Sequence, residues 1–188
     1  MIDVLLQADK TLFLVLNGNL HTPLTDFLFP ILTTISYTWP LYICLGLYLL
    51  YHHKLKAVVA LSVLAFTLGI MDQVSTHILK PYFNRQRPCR TETNVRLLIP
   101  CGPGQSFPST HAVNNACMAV FLSMLFTSIR IPLILFACLV GYSRVYVGVH
   151  YPLDMIGGLM FGGFSGYLAS HAANALFMKY IHRNDLTI

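Results

Sequence analysis

Apolar residues run through this chain in long blocks separated by short polar segments, and the block lengths predict the elements. A helix rises about 1.5 Å per residue, so about twenty apolar residues cross the ~30 Å of hydrocarbon in a bilayer. Blocks at about 27–51, 57–79, 110–129, 131–147 and 152–181 meet that length or come close to it, and each is predicted as a spanning helix. Pro40 is expected to kink the first, where Trp39 and the tyrosines supply interfacial or packing groups. The second stays apolar until Asp72 and Gln73, about two turns before Lys80, and an acid at that depth is expected to face the bundle interior. Gly158, Gly162 and Gly166 recur every four residues on the last block, a spacing that lets another helix approach closely.

Residues 2–16 follow a different pattern. Asp3, Gln7 and Lys10 share one helical face while Leu5, Leu6, Leu12, Phe13, Val15 and Leu16 lie largely elsewhere. The stretch is too short and interrupted to span, and it predicts an amphipathic helix lying in the membrane interface, ended by Asn17 and Gly18.

Composition turns this pattern into a fold class. Of 188 residues 55% are hydrophobic and 10% charged, against about a quarter charged in soluble domains. The chain therefore reads as one integral membrane domain over residues 1–188, an all-α polytopic transmembrane helix bundle of about five spans plus the interfacial helix. The net charge is +5 with a pI near 9.0, but the twelve Lys and Arg sit in short inter-helix segments and form no basic stripe. That distribution points to an anionic lipid and away from nucleic acid. The amino terminus, MIDVLLQADK, carries an acid where a cleaved signal would have a basic region.

Cys44, Cys117 and Cys138 fall inside apolar blocks and read as small packing residues. Cys89 and Cys101 bracket a polar loop, and a disulfide between them is expected where that loop faces an oxidising compartment. No CxxC or HExxH pattern is present, so the sequence carries no metal-site signature.

The chemistry-bearing residues collect at the mouths of the predicted spans, in KPYFNRQRP (80–88), PSTH (108–111) and SRVYVGVHYPLD (143–154). His150 and Asp154 are four apart, so a helix starting at Pro152 sets the carboxylate beside the imidazole and leaves the other ring nitrogen free to attack. Ser109 and Thr110 suit a helix start, which aims free N–H groups and a positive dipole end at an anion. Two histidines with Lys80, Arg87 and Arg144 have a shared use: to bind a phosphoryl group, attack it and protonate its leaving oxygen.

Together the patterns K-x6-RP, PSxH and SR-x5-H-x3-D resemble the type 2 phosphatidic acid phosphatase superfamily over about residues 72–165. Thr110 stands where that family most often has glycine, and the family more often has six spans. The resemblance implies that His150 is the nucleophile forming a phosphohistidine, Asp154 its orienting carboxylate and His111 the general acid. It implies further that Lys80, Arg87, Ser109, Ser143 and Arg144 grip the phosphoryl oxygens. Neither metal nor cofactor is needed where fixed cations neutralise the transition state. LQADKTLFLVLNG and the RPC after the first motif look like small bacterial members acting on undecaprenyl diphosphate or lipid A. The expected partner is a phosphorylated membrane lipid, and the expected reaction is hydrolysis of its phosphate or diphosphate, with undecaprenyl diphosphate or lipid A 1-phosphate as substrate.

Three rivals are weighed against this reading. A lipid transporter would be expected to show two repeated halves with broken helices, and no repeat is seen. The vanadate haloperoxidases resemble the same motifs but are soluble. A phosphotransferase would pass the same phosphohistidine to a lipid alcohol in place of water.

Lys80, Arg85, Arg87, Arg90, Arg96 and Arg144 fall on one side, and Lys54, Lys56, Arg130, Lys179 and Arg183 on the other. If the first group is reserved for phosphate, the second is the positive-inside signal. This places the chain in the inner (cytoplasmic) membrane with its active side facing the periplasm or cell exterior.

Overall fold

A computed structural model describes the backbone over residues 2–185 and the side chains over 3–179; Arg183, counted above with the far-side cations, lies outside the described side chains. The described residues are helical with connecting loops and no strand. The helices are α1 (Ile2–Gly18), α2 (Pro23–Thr33), α3 (Ile35–Gln73), α4 (Lys80–Phe83), α5 (Pro88–Thr91), α6 (Thr110–Leu125), α7 (Arg130–Tyr146) and α8 (Pro152–Asp185). A π-helical turn, Val74–Leu79, joins α3 to α4.

The first predicted block divides differently from expectation, at Thr34, whereas the break between the first two blocks falls at Lys54, inside the 52–56 gap that separates them in the sequence. Backbone leaves the helical region at Thr34 (φ −100°, ψ 116°), separating α2 from α3, and again at Lys54 (φ 45°, ψ −119°). No such departure occurs at Pro40, which stays inside α3. Thr34 donates its hydroxyl to Pro30 O and its N–H to Ile31 O, local bonds that compete with helix continuation at this residue. A straight helix from Thr38 to Asp72 would separate them by about 50 Å. Both line one cavity, so α3 folds back at Lys54 into two adjacent limbs.

By length and composition Ile35–Thr91 and Thr127–Tyr146 are able to cross a membrane. The expected count of five crossings is not reached on that criterion: α6 has 16 residues, and α8 is interrupted by glycine, serine and histidine.

The closest pairing is α6 against α8. A Cβ added at Gly158 would lie 2.8 Å from Ser109 O, at Gly162 2.1 Å from Val113 O, and at Gly166 2.3 Å from Cys117 O. Only glycine leaves room for these backbones to touch, and the stripe aligns the amino-terminal ends of both helices. Ser109 N–H donates to Asp154 O at 3.1 Å, tying the two ends directly.

Helix α1 turns an unexpected face inward. Asp9, Phe13 and Asn17, one turn apart, are buried, while Val4, Leu5, Leu6, Leu12 and Val15 are exposed. Asn17 donates to Arg96 O and Tyr146 O and accepts from Arg96 N–H, pinning the 92–108 loop to the end of α7. The loop is also closed by a disulfide between Cys89 and Cys101, whose Cα atoms are 6.1 Å apart.

Candidate active site

Helix α8 begins at Pro152, where a fixed φ suits the first helical position and the missing N–H costs nothing. His150 therefore lies just outside the helix and Asp154 in its first turn, with Nδ1 and Oδ2 3.5 Å apart and both side chains almost wholly buried. Asp154 accepts from Tyr151 N–H at 2.8 Å, from Arg85 Nη1 at 2.8 Å and from the Ser106 hydroxyl. A buried carboxylate costs several kcal/mol unless it is paired and hydrogen-bonded, and these donors meet that condition.

The other face of the imidazole fixes its tautomer. His150 Nε2 lies 3.1 Å from Arg87 Nη1, and a guanidinium can only donate, so Nε2 carries the lone pair and Nδ1 the proton. Burial pushes the His150 imidazole down to about 4, against the opposing pull of Asp154, so the ring is neutral near pH 7. A neutral imidazole with an unprotonated Nε2, backed by a carboxylate, has the chemistry a nucleophile needs once a substrate takes over the Arg87 contact.

Arg87 is held by three carbonyls besides. Its Nε donates to Gly104 O (3.3 Å), Nη2 to Pro103 O (3.3 Å) and Nη1 to Val149 O (3.2 Å). The loop after the disulfide thus carries two of the three carbonyls that orient the guanidinium, and the residue before His150 carries the third. Arg144, on α7, donates through Nη1 to Thr33 Oγ1 at 2.6 Å, while its Nε is buried without a protein partner. Ser109 Oγ and Thr110 Oγ1 are likewise buried without a protein partner. Ser109 precedes α6 but makes no side-chain cap bond, so its hydroxyl is available to an anion. Lys80 ends the π turn and shares an electrostatic neighbourhood with Arg87, Arg144 and Asp154.

His111, in the first turn of α6, lines a cavity of about 570 Å³ together with Thr33, Asp72, Thr110 and the apolar walls of both α3 limbs. Asp72 faces this cavity, as an acid at membrane depth should, and acts on Lys80 by charge; neither Lys80 nor His77 forms an ion pair with it among the described residues.

Ser143 differs from Ser109 in that its hydroxyl already has a protein partner. It is fully buried and donates its hydroxyl to Val140 O at 2.6 Å, within its own helix. Sequence reasoning also passed over Asp9, Ser106, Arg85 and Thr33. Ser106 touches both Asp154 and His150, and Arg85 joins Asp154 to Asp9. The available signal was slight: an acid and an amide, Asp9 and Asn17, flanking Phe13 at helical spacing, and an arginine two places before Arg87.

Comparison with known proteins agrees with the motifs. The profile of the PAP2 superfamily matches residues 60–178. A lipid A 4'-phosphatase of Bacteroides thetaiotaomicron is 34% identical over 186 residues, covering 94% of this chain and 81% of the relative. The undecaprenyl-diphosphatase BcrC of Bacillus subtilis is 36% identical over 102 residues, covering 53% of this chain and 51% of the relative. Among solved structures, that of Aquifex aeolicus LpxE superposes with a TM-score of 0.67 at 29% identity, covering 85% of this chain and 92% of that one. Lipid phosphatases thus surround the chain in both sequence and structure, and the chain belongs to the PAP2 superfamily of membrane phosphatases.

Proposed function

We propose that the chain hydrolyses a phosphate ester on a lipid A-type glycolipid through a phosphohistidine on His150, without a metal ion. The observation that carries the reading is the His150 ring, with Nδ1 turned to Asp154 and Nε2 turned to a cation at 3.1 Å. A phosphoryl group bound by Arg87, Arg144, Lys80 and Ser109 meets Nε2 in line with the departing lipid oxygen. As the N–P bond forms the P–O bond breaks, and His111 gives its proton to the leaving oxygen. Water, deprotonated by the now neutral His111, then attacks the phosphohistidine, releasing inorganic phosphate and restoring both histidines. Arg144 Nε and Ser109 Oγ, buried without protein partners, supply donors for the oxygens whose charge grows in the transition state.

The lipid A class is favoured over undecaprenyl diphosphate because the lipid A 4'-phosphatase matches nearly the whole chain, whereas the undecaprenyl-diphosphatase matches about half of it. The proposal includes five crossings, counting the two α3 limbs, α6, α7 and α8, with the site on the periplasmic side of the inner membrane. Its support is that Lys56 donates to Leu125 O and Arg130 to Ser123 O, both at the far end of α6 from His111.

The test supplies purified protein in detergent with lipid A, undecaprenyl diphosphate, phosphatidylglycerophosphate and phosphatidic acid, each with labelled phosphate. Lipid A is expected to release inorganic phosphate fastest, in EDTA as well as without it, and an alkali-stable label on wild-type protein is expected to vanish in His150→Ala. Transfer of the label to another lipid would make the enzyme a phosphotransferase, and recovery of an EDTA-treated sample only with a divalent ion would overturn the metal-free chemistry.

A further inference from the structure

The proposed mechanism leaves one buried charge pair unused. Asp9 is 4% exposed, sits on α1, and lies 145 residues before Asp154 in the chain. Its two oxygens have separate partners: Oδ1 accepts Leu153 N–H at 2.8 Å, and Oδ2 pairs with Arg85 Nη2. Leu153 N–H belongs to the first turn of α8, where backbone donors have no helical acceptor, so Asp9 caps α8 from another helix. Arg85 Nη1 holds Asp154 Oδ1, and its guanidinium carbon lies 4.1 Å from the centre of the Tyr151 ring. Both terminal nitrogens of Arg85 are thus committed to carboxylates and its plane to an aromatic face. In this it differs from Arg144, which keeps a buried donor for an anion.

We infer that Arg85 is a positioning residue and that Asp9 makes the amino-terminal helix part of the active site, the two acting as a bridge that sets Asp154 behind His150. The groups facing Asp154 are His150, Arg85, the Ser106 hydroxyl and Tyr151 N–H. Of these Arg85 alone brings a permanent charge. Unshared, that charge would draw Asp154 away from the His150 Nδ1–H; Asp9 takes half of the guanidinium fork and so leaves Asp154 able to support the positive charge that develops on the neutral His150 ring as Nε2 attacks. The planar fork spans two carboxylates at once, which a lysine ammonium does not reproduce. The amino-terminal helix thereby contributes its one buried acid to the chemistry of a motif more than a hundred residues later in the chain.

This inference rests on the reading of His150 as nucleophile, and the experiment separates the two. Kinetics are measured on Asp9→Asn, Arg85→Lys, the double variant and His150→Ala, each well below its own thermal midpoint. Asp9→Asn keeps an acceptor for Leu153 N–H but replaces the oxygen facing Arg85 Nη2 with an NH2 donor, so it removes the charge and the bond to Arg85 together. Each single variant is expected to lose about tenfold in kcat with KM close to wild type, since misplacement of a reacting group acts on the chemical step. The double variant is expected to lose little more than either single, where independent effects would multiply to about a hundredfold. A raised KM in Arg85→Lys beside a silent Asp9→Asn would show that Arg85 grips substrate, and wild-type kcat in both singles would show a purely structural bridge; either outcome overturns the inference. Activity surviving in His150→Ala would instead overturn the nucleophile reading itself.

Discussion

Ser109 and Ser143 carry the same hydroxyl at the ends of neighbouring helices, and their surroundings separate them. Ser109 Oγ is buried without a protein partner, whereas the Ser143 hydroxyl is bonded to Val140 O. Ser109→Ala is therefore expected to cost about tenfold or more in kcat/KM, in the range seen for a lost transition-state donor. Ser143→Ala is expected to stay within about twofold, because only a back-bond within the helix is lost. Steady-state kinetics on the two variants check the contrast. A second expectation concerns pH. Burial holds the His150 imidazole at about 4, below the 6.5 of a free ring, with Asp154 opposing. The nucleophilic neutral form therefore persists as pH falls below 6.5 and is lost only as pH passes through about 4. A kcat/KM profile, divided by the separately titrated ionisation of the substrate phosphate, should place the enzyme's acid limb nearer 4 than 6.5. At this scale the sequence was most legible where chemistry is local. His150 and Asp154 declared themselves through their four-residue spacing and the proline between them. Asp9 and Arg85 did not, because nothing in their spacing reveals that a helix from the amino terminus packs against the first turn of α8.

Among elements, the glycine stripe of α8 shows how sequence spacing becomes site geometry. Gly162 faces Val113 O at a distance no side chain tolerates, whereas a Cβ at neighbouring Gly163 would make an ordinary 3.5 Å contact with Val120 Cγ2. Gly162→Ala must push α8 from α6, and these helices carry Asp154 and His111. Overpacking of this kind costs about 1–3 kcal/mol or more, and here it also separates Asp154 from His111, the proposed support of the nucleophile and the proposed general acid. The expected result is a lowered thermal midpoint and reduced kcat for Gly162→Ala, with both near wild type for Gly163→Ala, measured by thermal unfolding and turnover in detergent. The stripe was readable because glycine at every fourth position has few other uses. The break at Lys54 falls in the polar gap between the first two apolar blocks, where positive φ reverses the chain, but the one at Thr34 was harder to read. Pro40 offered a stronger local signal for a bend, yet it is Thr34 that leaves the helix through its own hydrogen bonds. The inward stripe of α1 was not legible: two of its three buried residues, Asp9 and Asn17, are polar and bonded inward around Phe13, while Val4, Leu5 and Leu12 face out.

At the scale of the whole molecule, two sets of cations lie at opposite ends of the bundle and answer to different demands. Arg85, Arg87 and Arg144 are engaged with carboxylates, carbonyls and a hydroxyl around the candidate site, and Arg96 is paired with Asp26, so these cations have partners whichever way the chain inserts. Lys54 and Lys56 sit at the reversal of α3, where Lys56 also stacks over Phe126, and Arg130 opens α7 nearby. No phosphate chemistry calls for this second set, so it is the one free to report topology, and cationic short loops remain on the cytoplasmic side. On the proposed orientation the disulfide loop lies on the other face, where a Cys89–Cys101 bond would persist in an oxidising compartment. A single cysteine placed at exposed Thr93, with Cys44, Cys117 and Cys138 changed to serine, should react with an impermeant maleimide added to spheroplasts. One placed at exposed Lys54 should react only after the membrane is opened. The reverse pattern would turn the site toward the cytoplasm, and with it the lipid pool on which the enzyme acts.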